Sequence, residues 1–413
     1  MIIHKSKKKI KGNKVRISSY IEIEKRKELS KTLWFEVDKE YEKYVSKSLN
    51  GFLSSLILQA MYLKEDIKVK DKISPKLNYG LNLLQGYFDF WKNHEFESPR
   101  AKKFNKVNIE TEGYEVPKKP NKNVGCTFTG GVDSFYTLWK HTPENEPNPD
   151  FRITHCIIVD NGKRPLFDCS EDSYDLLKEK YKKFTKKLNM KLIIITTNIE
   201  DVLVKKLYSP ETHATIILGA GLILEKLFHR FYIPSSHNYK DQIPWGSNPL
   251  TDPMISTENF NVIHHGCDKT RIEKTIEIAK WPETYDNLRV CWDSIGTKNC
   301  GECSKCIRTM VTLHLIKSLS KYNTFLKPLK RNKIRTWHIK GTDKKIFSKG
   351  LINYAIEKNR TDIEYDIRYA IIRSNIIDLF NKVWMLIWMP SAYLKKKSKL
   401  YTKFVRIIKN DYS

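Results

Sequence analysis

Two clusters in this 413-residue chain combine residue types and spacing that chemistry requires. The first is Thr129-Gly130-Gly131-Val132-Asp133-Ser134, set between the apolar run Val124–Phe128 and a helical pattern of Phe135, Tyr136, Leu138 and Trp139. Adjacent glycines let the backbone approach an anion without a Cβ in the way. The N–H groups of the turn and of the new helix converge where the helix dipole favours negative charge. Thr129 and Ser134 add hydroxyls, and Asp133 can orient a donor or hold Mg²⁺. Gly131 is the position where a side chain would meet a phosphate. No Gly-Lys-Ser/Thr ends the loop, so it is not a Walker A motif. The second cluster is Cys291, Cys300, Cys303 and Cys306, half of the eight cysteines. Four thiolates close a tetrahedron with no open position, which describes a structural Zn²⁺ site; an iron–sulfur cluster is the rival.

A third stretch, Pro234–Pro249, is long, polar and aromatic, and follows the carboxyl end of an expected strand, where ligands sit in doubly wound sheets. Ser235, Ser236, His237, Lys240 and Trp245, with Asp252 just beyond it, are the substrate-pocket candidates. Asp160, ending another expected strand, is a candidate for the ribose of ATP. His213 and His264 are possible general bases, although a lone His at an element end is more often structural.

The elements that must position these residues alternate. Strands are expected at Val124–Phe128, Thr154–Asp160, Leu192–Thr197, Phe231–Ile233 and Val262–His264, with helices beginning near Asp133, Ser170, Thr212 and Lys269. That rhythm predicts an α/β fold, a doubly wound, mostly parallel five-stranded sheet with right-handed crossovers, over residues 123–320. Before it, residues 1–122 read as an α+β domain and linker. They hold a hairpin from Arg16–Glu24 and Thr32–Val37, an apolar helix through Ala60, and a helix opened by Ser74-Pro75. After it, residues 321–413 read as a helical basic extension. Within it Ile376–Met389 is too short to span a bilayer and is expected to pack on the domain.

Composition bounds the rest. Apolar residues are 40% and aromatics 12%, which excludes disorder as the main state. Seventy-four Lys and Arg against 47 Asp and Glu leave a net charge of +27, which is compatible with a polyanionic partner such as nucleic acid, nucleotide phosphates or an anionic surface; for the basic tail Lys395–Lys409 a solvated segment is the bland reading and contact with nucleic acid the sharper one. Membrane association is not expected. Scattered cysteines outside the cluster and the lack of an apolar leader point to a reduced cytoplasmic setting.

The loop resembles the PP-loop of ATP pyrophosphatases, Ser-Gly-Gly-x-Asp-Ser, at Gly130, Gly131, Asp133 and Ser134, with Thr129 replacing the first Ser. Together with Cys300-Gly301-Glu302-Cys303-Ser304-Lys305-Cys306, residues 123–312 resemble 7-cyano-7-deazaguanine synthase and its divergent relatives. Arg308 stands at that family's usual basic position. His265–Glu273 is similar to its segment in which a lysine, here Lys269, begins a helix. The resemblance implies an adenine nucleotide alpha hydrolase-like fold, ATP and Mg²⁺ at Thr129–Ser134, and structural zinc. It also implies a ligase that adenylates a small-molecule substrate, with Asp133, Ser134 and Lys269 catalytic. Alternatives are a nucleic-acid base-modifying enzyme and a nucleotide-binding subunit of an antiviral defence system. A homo-oligomer or multi-protein operon partners would be compatible with each.

Overall fold

The computed structural model describes residues 1–91, 104–118, 120–160, 171–204, 207, 212–291, 297–341 and 346–388, the side chains of 171–173 and 382–388 excepted. The basic tail Lys395–Lys409 lies outside the described residues. The strands are β1 Ile2–Ile3, β2 Lys7–Lys11, β3 Lys14–Glu22, β4 Lys31–Asp38, β5 Ile67–Val69, β6 Ile109–Thr111, β7 Asn123–Thr127, β8 His155–Asp160, β9 Lys191–Thr197, β10 Phe228–Pro234 and β11 Asn261–His265.

Strands β7 to β11 form the expected parallel array in the order β11-β10-β7-β8-β9. Chain order therefore runs outward from β7 through β8 to β9, then returns to place β10 on the other side of β7. That reversal makes the carboxyl ends of β7 and β10 the switch-point crevice of a doubly wound sheet. β8 is buried at every position, as a central parallel strand must be.

The sheet is not five-stranded. It has eleven strands, because β4 pairs antiparallel with β9 (Phe35↔Thr197, Glu36↔Thr196) and brings β3, β1, β5 and β6 into the same sheet, with β2 on β3. Thr197 Oγ1 donates to Trp34 O at 2.7 Å and Trp34 N donates to Asn198 Oδ1 at 2.9 Å, clamping the junction. Alternation in β3 and β4 predicts the hairpin. It carries no sign of which further strand completes the outer edge.

The helices also cross residue 122. The helix Asn50–Leu63 lies against His213–Leu222 so closely that a Cβ at Gly219 would stand 2.1 Å from Ser55 Oγ and 2.6 Å from Gly51 O. Buried Glu225 accepts from Ser46 Oγ at 2.6 Å and Asn50 Nδ2 at 3.0 Å. One apolar core contains Phe35, Phe52 and Leu56 together with Ile195, Ile216 and Phe231. As expected, Ser74 caps the helix Pro75–Trp91 by accepting from Leu77 N at 3.0 Å.

A second core lies under the loop and cysteine cluster, and a third joins Ile307, Val311 and Leu315 to Trp337, Leu351 and Ile367 of the C-terminal helices. Among the described residues no helix is long and apolar enough to cross a membrane. The expected packing of Ile376–Met389 does not hold for its described part: Ile376, Leu379 and Phe380 are exposed.

Candidate functional site

β7 ends at Thr127 and the helix Val132–Lys140 starts with Gly131 as its N-cap. Between them the chain turns through Gly130 at φ +73°, where a Cβ would fall 1.6 Å from Tyr181 Oη. The left-handed residue is thus Gly130; Gly131 has φ −82° and room for a Cβ at ordinary contact distance from Thr129 Oγ1. Gly130 O accepts from Arg289 N at 2.7 Å, which fixes the turn from outside. Ser134 Oγ donates to Gly131 O at 3.0 Å and accepts from Thr129 N at 3.3 Å, so this hydroxyl shapes the loop. Among the described residues, the N–H groups of Gly130, Gly131, Val132 and Asp133 have no protein acceptor.

Cations gather at the helix start. Asp133 Oδ2 accepts from Arg271 Nη1 at 2.6 Å, and Lys274 Nζ stands 3.7 Å from Oδ1. Both come from the helix Arg271–Ile278, aimed by a capping box in which Thr270 and Glu273 satisfy each other's backbone N–H. Lys274 is almost fully buried and donates to Ser235 O and Ser235 Oγ, each at 2.7 Å. Burial alone would raise the Asp133 carboxyl, yet Arg271, Lys274 and Arg308 outweigh it and hold the group below its usual range. Desolvation pushes the Lys274 ammonium down, against the pull of Asp133. Lys305 is pushed down to about 7 by desolvation, with Arg271 and Arg308 adding repulsion. Arg271 and Lys274 make the described ion pairs with Asp133. Lys269, expected there, makes its described contact through its backbone N–H to Gly266 O.

Beside this group opens a cleft between the loop after β10, the helices Arg271–Ile278 and Ser304–Leu315, and Phe347 with Leu351 of the C-terminal unit. Ser236, His237, Arg271 and Arg308 line it. The Arg308 guanidinium lies 4.0 Å from the Phe347 ring centroid, a cation–π contact. His237 stacks on Phe347 at 6.4 Å and meets Trp245 edge-on at 5.8 Å. Burial pushes its imidazole down to about 4, so the ring is neutral, and its buried Nδ1 has no hydrogen-bond partner among the described residues.

The remaining candidates divide. Ser235 holds Lys274 from below the site. Trp245 is half-buried between His237 and His213, while Lys240 is exposed and does not line the cleft. Asp160 ends β8 next to β7, on the loop's side of the sheet. Asp252 is fully buried and committed elsewhere, accepting from Ser247 Oγ at 2.7 Å and paired with His264 Nδ1 at 2.6 Å. Against desolvation, that pairing raises His264 to about 9, which makes it an imidazolium and not a base.

The four cysteines do converge, with sulfur atoms within 4.8 Å of one another. Cys291 Sγ and Cys303 Sγ are 3.7 Å apart, and Cys300 Sγ and Cys306 Sγ 3.9 Å. A tetrahedron with metal–sulfur bonds of about 2.3 Å has edges of about 3.8 Å, so the donor set fits a metal such as zinc. Cys300 Sγ also accepts from Glu302 N and Cys303 N at 3.3 Å each, through a turn that Gly301 makes at φ +76°. Asn299, fully buried, accepts from Val290 N at 2.8 Å and Cys291 N at 3.1 Å and donates to Leu288 O at 2.9 Å. It ties the cysteine turn to the segment whose Arg289 N holds Gly130.

No family model matches this chain, and no curated protein or solved structure matches it either. Sequence reasoning missed Arg271 and Lys274 as site residues. The i, i+3 spacing of these two cations after the cap Thr270 was the available signal.

Proposed function

We propose that this chain is an ATP-dependent enzyme that adenylates a carboxylate or amide oxygen, releasing pyrophosphate, for attack by a nitrogen nucleophile. The observation that carries this reading is the surplus of buried positive charge at the switch-point crevice. Arg271 and Lys274 pair with one carboxylate, Asp133, and Arg308 adds to the positive potential there, beside four backbone N–H groups that have no acceptor among the described residues. Such an array has a net preference for a polyphosphate, which would complete both its charge and its hydrogen bonds.

In this mechanism the loop N–H groups hold the β,γ-phosphates, and Arg271 and Lys274 offset charge growing on the leaving pyrophosphate. Asp133 orients both cations. The substrate oxygen bonds to the α-phosphorus, the bond from that phosphorus to the bridging oxygen breaks, and pyrophosphate leaves. A nitrogen nucleophile then displaces AMP. His237, Arg308 and Phe347 would border the substrate, and no side-chain nucleophile paired with a base is needed. Mg²⁺ would arrive with the nucleotide, and the buried Asp133 Oδ1, without a hydrogen-bond partner among the described residues, is its candidate ligand. Zinc on Cys291, Cys300, Cys303 and Cys306 would be structural, and free thiols suit a reducing cytoplasm.

The test is the product of ATP cleavage across a panel of carboxylate substrates. AMP with pyrophosphate supports adenylation. ADP with phosphate, formed as fast by Lys274→Met and Gly130→Ala variants as by the parent, would end it.

A further inference from the structure

The helix Thr361–Trp388 has two faces of different character. Inward, Ile363, Ile367, Ala370 and Ser374 are buried, Asp366 pairs with Arg331 at 2.7 Å, and Asp378 pairs with His338 at 3.1 Å, so the helix is fixed on the body. Outward, Tyr365, Tyr369, Ile372, Ile376 and Leu379 are 40% to 61% exposed and recur at steps of four, three, four and three. That is the a/d seam of a coiled coil, with Tyr365, Ile372 and Leu379 at d and Tyr369 and Ile376 at a. The next positions of the same register in the sequence are Val383 and Leu386.

We propose that this seam docks an amphipathic helix of another protein, one with apolar a and d positions and acidic flanks. The flanks of the seam decide the occupant. Arg368, bridged to Glu364 at 2.8 Å, falls at a g position, and Arg373, which donates to Thr336 O at 3.2 Å and has no described carboxylate partner, falls at the following e; the Arg335 guanidinium, 3.7 Å from Asp366, sits 4.4 Å over the Tyr369 ring at the seam's border. In a parallel coil of two copies, g faces the next e of the opposite strand, so Arg368 of each copy would meet Arg373 of the other. Like charges at those positions oppose self-pairing, whereas glutamates there complement it. The net charge of +27 draws an acidic partner in the same direction. A lipid surface suits the seam less, because exposed Phe380 widens the a/d stripe at only one end and the opposite face is locked in protein, which matches knobs-into-holes packing rather than a broad interfacial face.

The probe is a labelled four-heptad peptide with Ile at a, Leu at d and Glu at e and g, titrated with the full-length protein by fluorescence anisotropy. Its counterpart carries Lys at e and g. The Glu peptide is expected to bind saturably and the Lys peptide roughly tenfold or more weakly. The Ile376→Glu/Leu379→Glu variant should lose binding with its melting temperature unchanged, since both side chains are exposed. Failure of the Glu peptide to bind, or equal binding of both peptides, would overturn the proposal. So would self-association in light scattering that the double variant abolishes, which would assign the seam to a second copy. Binding to phosphatidylserine vesicles lost in the same variant would assign it to a membrane and overturn it equally.

Discussion

At the scale of residues, the two glycines of the loop do different work, and substitution separates them. Gly130→Ala must hold a left-handed residue and displace Tyr181 Oη, while Gly131→Ala meets only ordinary contacts. The first is expected to destabilise the fold by at least about 1 kcal/mol, the cost of the backbone angle alone, and the second to leave the melting temperature near that of the parent. Thermal unfolding of both variants checks this; equal losses would place the strain elsewhere. Lys274→Met keeps the length of the side chain and removes its charge. Pyrophosphate release should fall roughly 10²–10³-fold, as when one charge-stabilising donor is lost, while the fold persists. Buried histidines set a pH signature. His237 and His155 fall to about 4 and His265 to about 2, each chiefly through desolvation, so their neutral forms contribute stability above the unfolded value near 6.5. That contribution is lost as pH falls toward 4. His264, raised to about 9, contributes below about 6.5 and loses its share as pH rises through 9. Stability measured by denaturant titration should therefore peak near pH 6.5, and Asp252→Asn should flatten the alkaline limb; an unchanged limb would remove the ion pair from the account.

At the scale of elements, the cysteine turn and the loop are joined by Asn299. Its side chain serves three backbone groups of Leu288, Val290 and Cys291, and Arg289 between them holds Gly130. Asn299→Ala would leave three buried polar groups without partners, at about 1–3 kcal/mol each if none finds water. The expected result is a protein with bound metal but a loosened loop: elemental analysis near that of the parent, with weaker nucleotide binding. Loss of metal and of solubility together would instead make Asn299 part of the cysteine site alone. Metal removal by chelator, by contrast, should melt the helix Ser304–Leu315 start that bears Lys305 and Arg308, since binding and folding are coupled. Elements of this kind were legible in advance. The apolar strand before Gly130, the Ser74 cap and the cysteine spacing each depend on neighbours in sequence, and each is found where its pattern implies. Arg271, Lys274 and the eleven-strand sheet were not legible. A buried lysine reads like any surface lysine until Asp133 and Ser235 are brought to it, and β4 carries no mark of β9.

At the scale of the whole molecule, the continuity of sheet and core across residue 122 decides what can fold alone. Residues 1–122 supply six strands of the sheet, and their removal would expose the outer edge of β9 with the apolar face of the helix His213–Leu222. They also supply Ser46 and Asn50, the hydrogen-bond partners of Glu225, whose carboxyl is raised by burial even with both bonds made. A fragment beginning at Asn123 is therefore expected to lose near-ultraviolet circular dichroism and to bind an apolar dye, although it keeps the loop and all four clustered cysteines. Truncation alone is a coarse test, because any fragment can aggregate. Gly219→Ala in the full chain is finer: its Cβ would press on Gly51 O at 2.6 Å and Ser55 Oγ at 2.1 Å, and a backbone carbonyl in the first turn of a packed helix cannot move aside as a side-chain tip can. The expected cost is about 3 kcal/mol, the upper range of overpacking, felt in one cooperative transition that includes the loop. If Gly219→Ala instead produced two transitions, with a separate unit retaining nucleotide binding after the first, the 123–320 unit would fold independently and the shared core would be an interface between two domains.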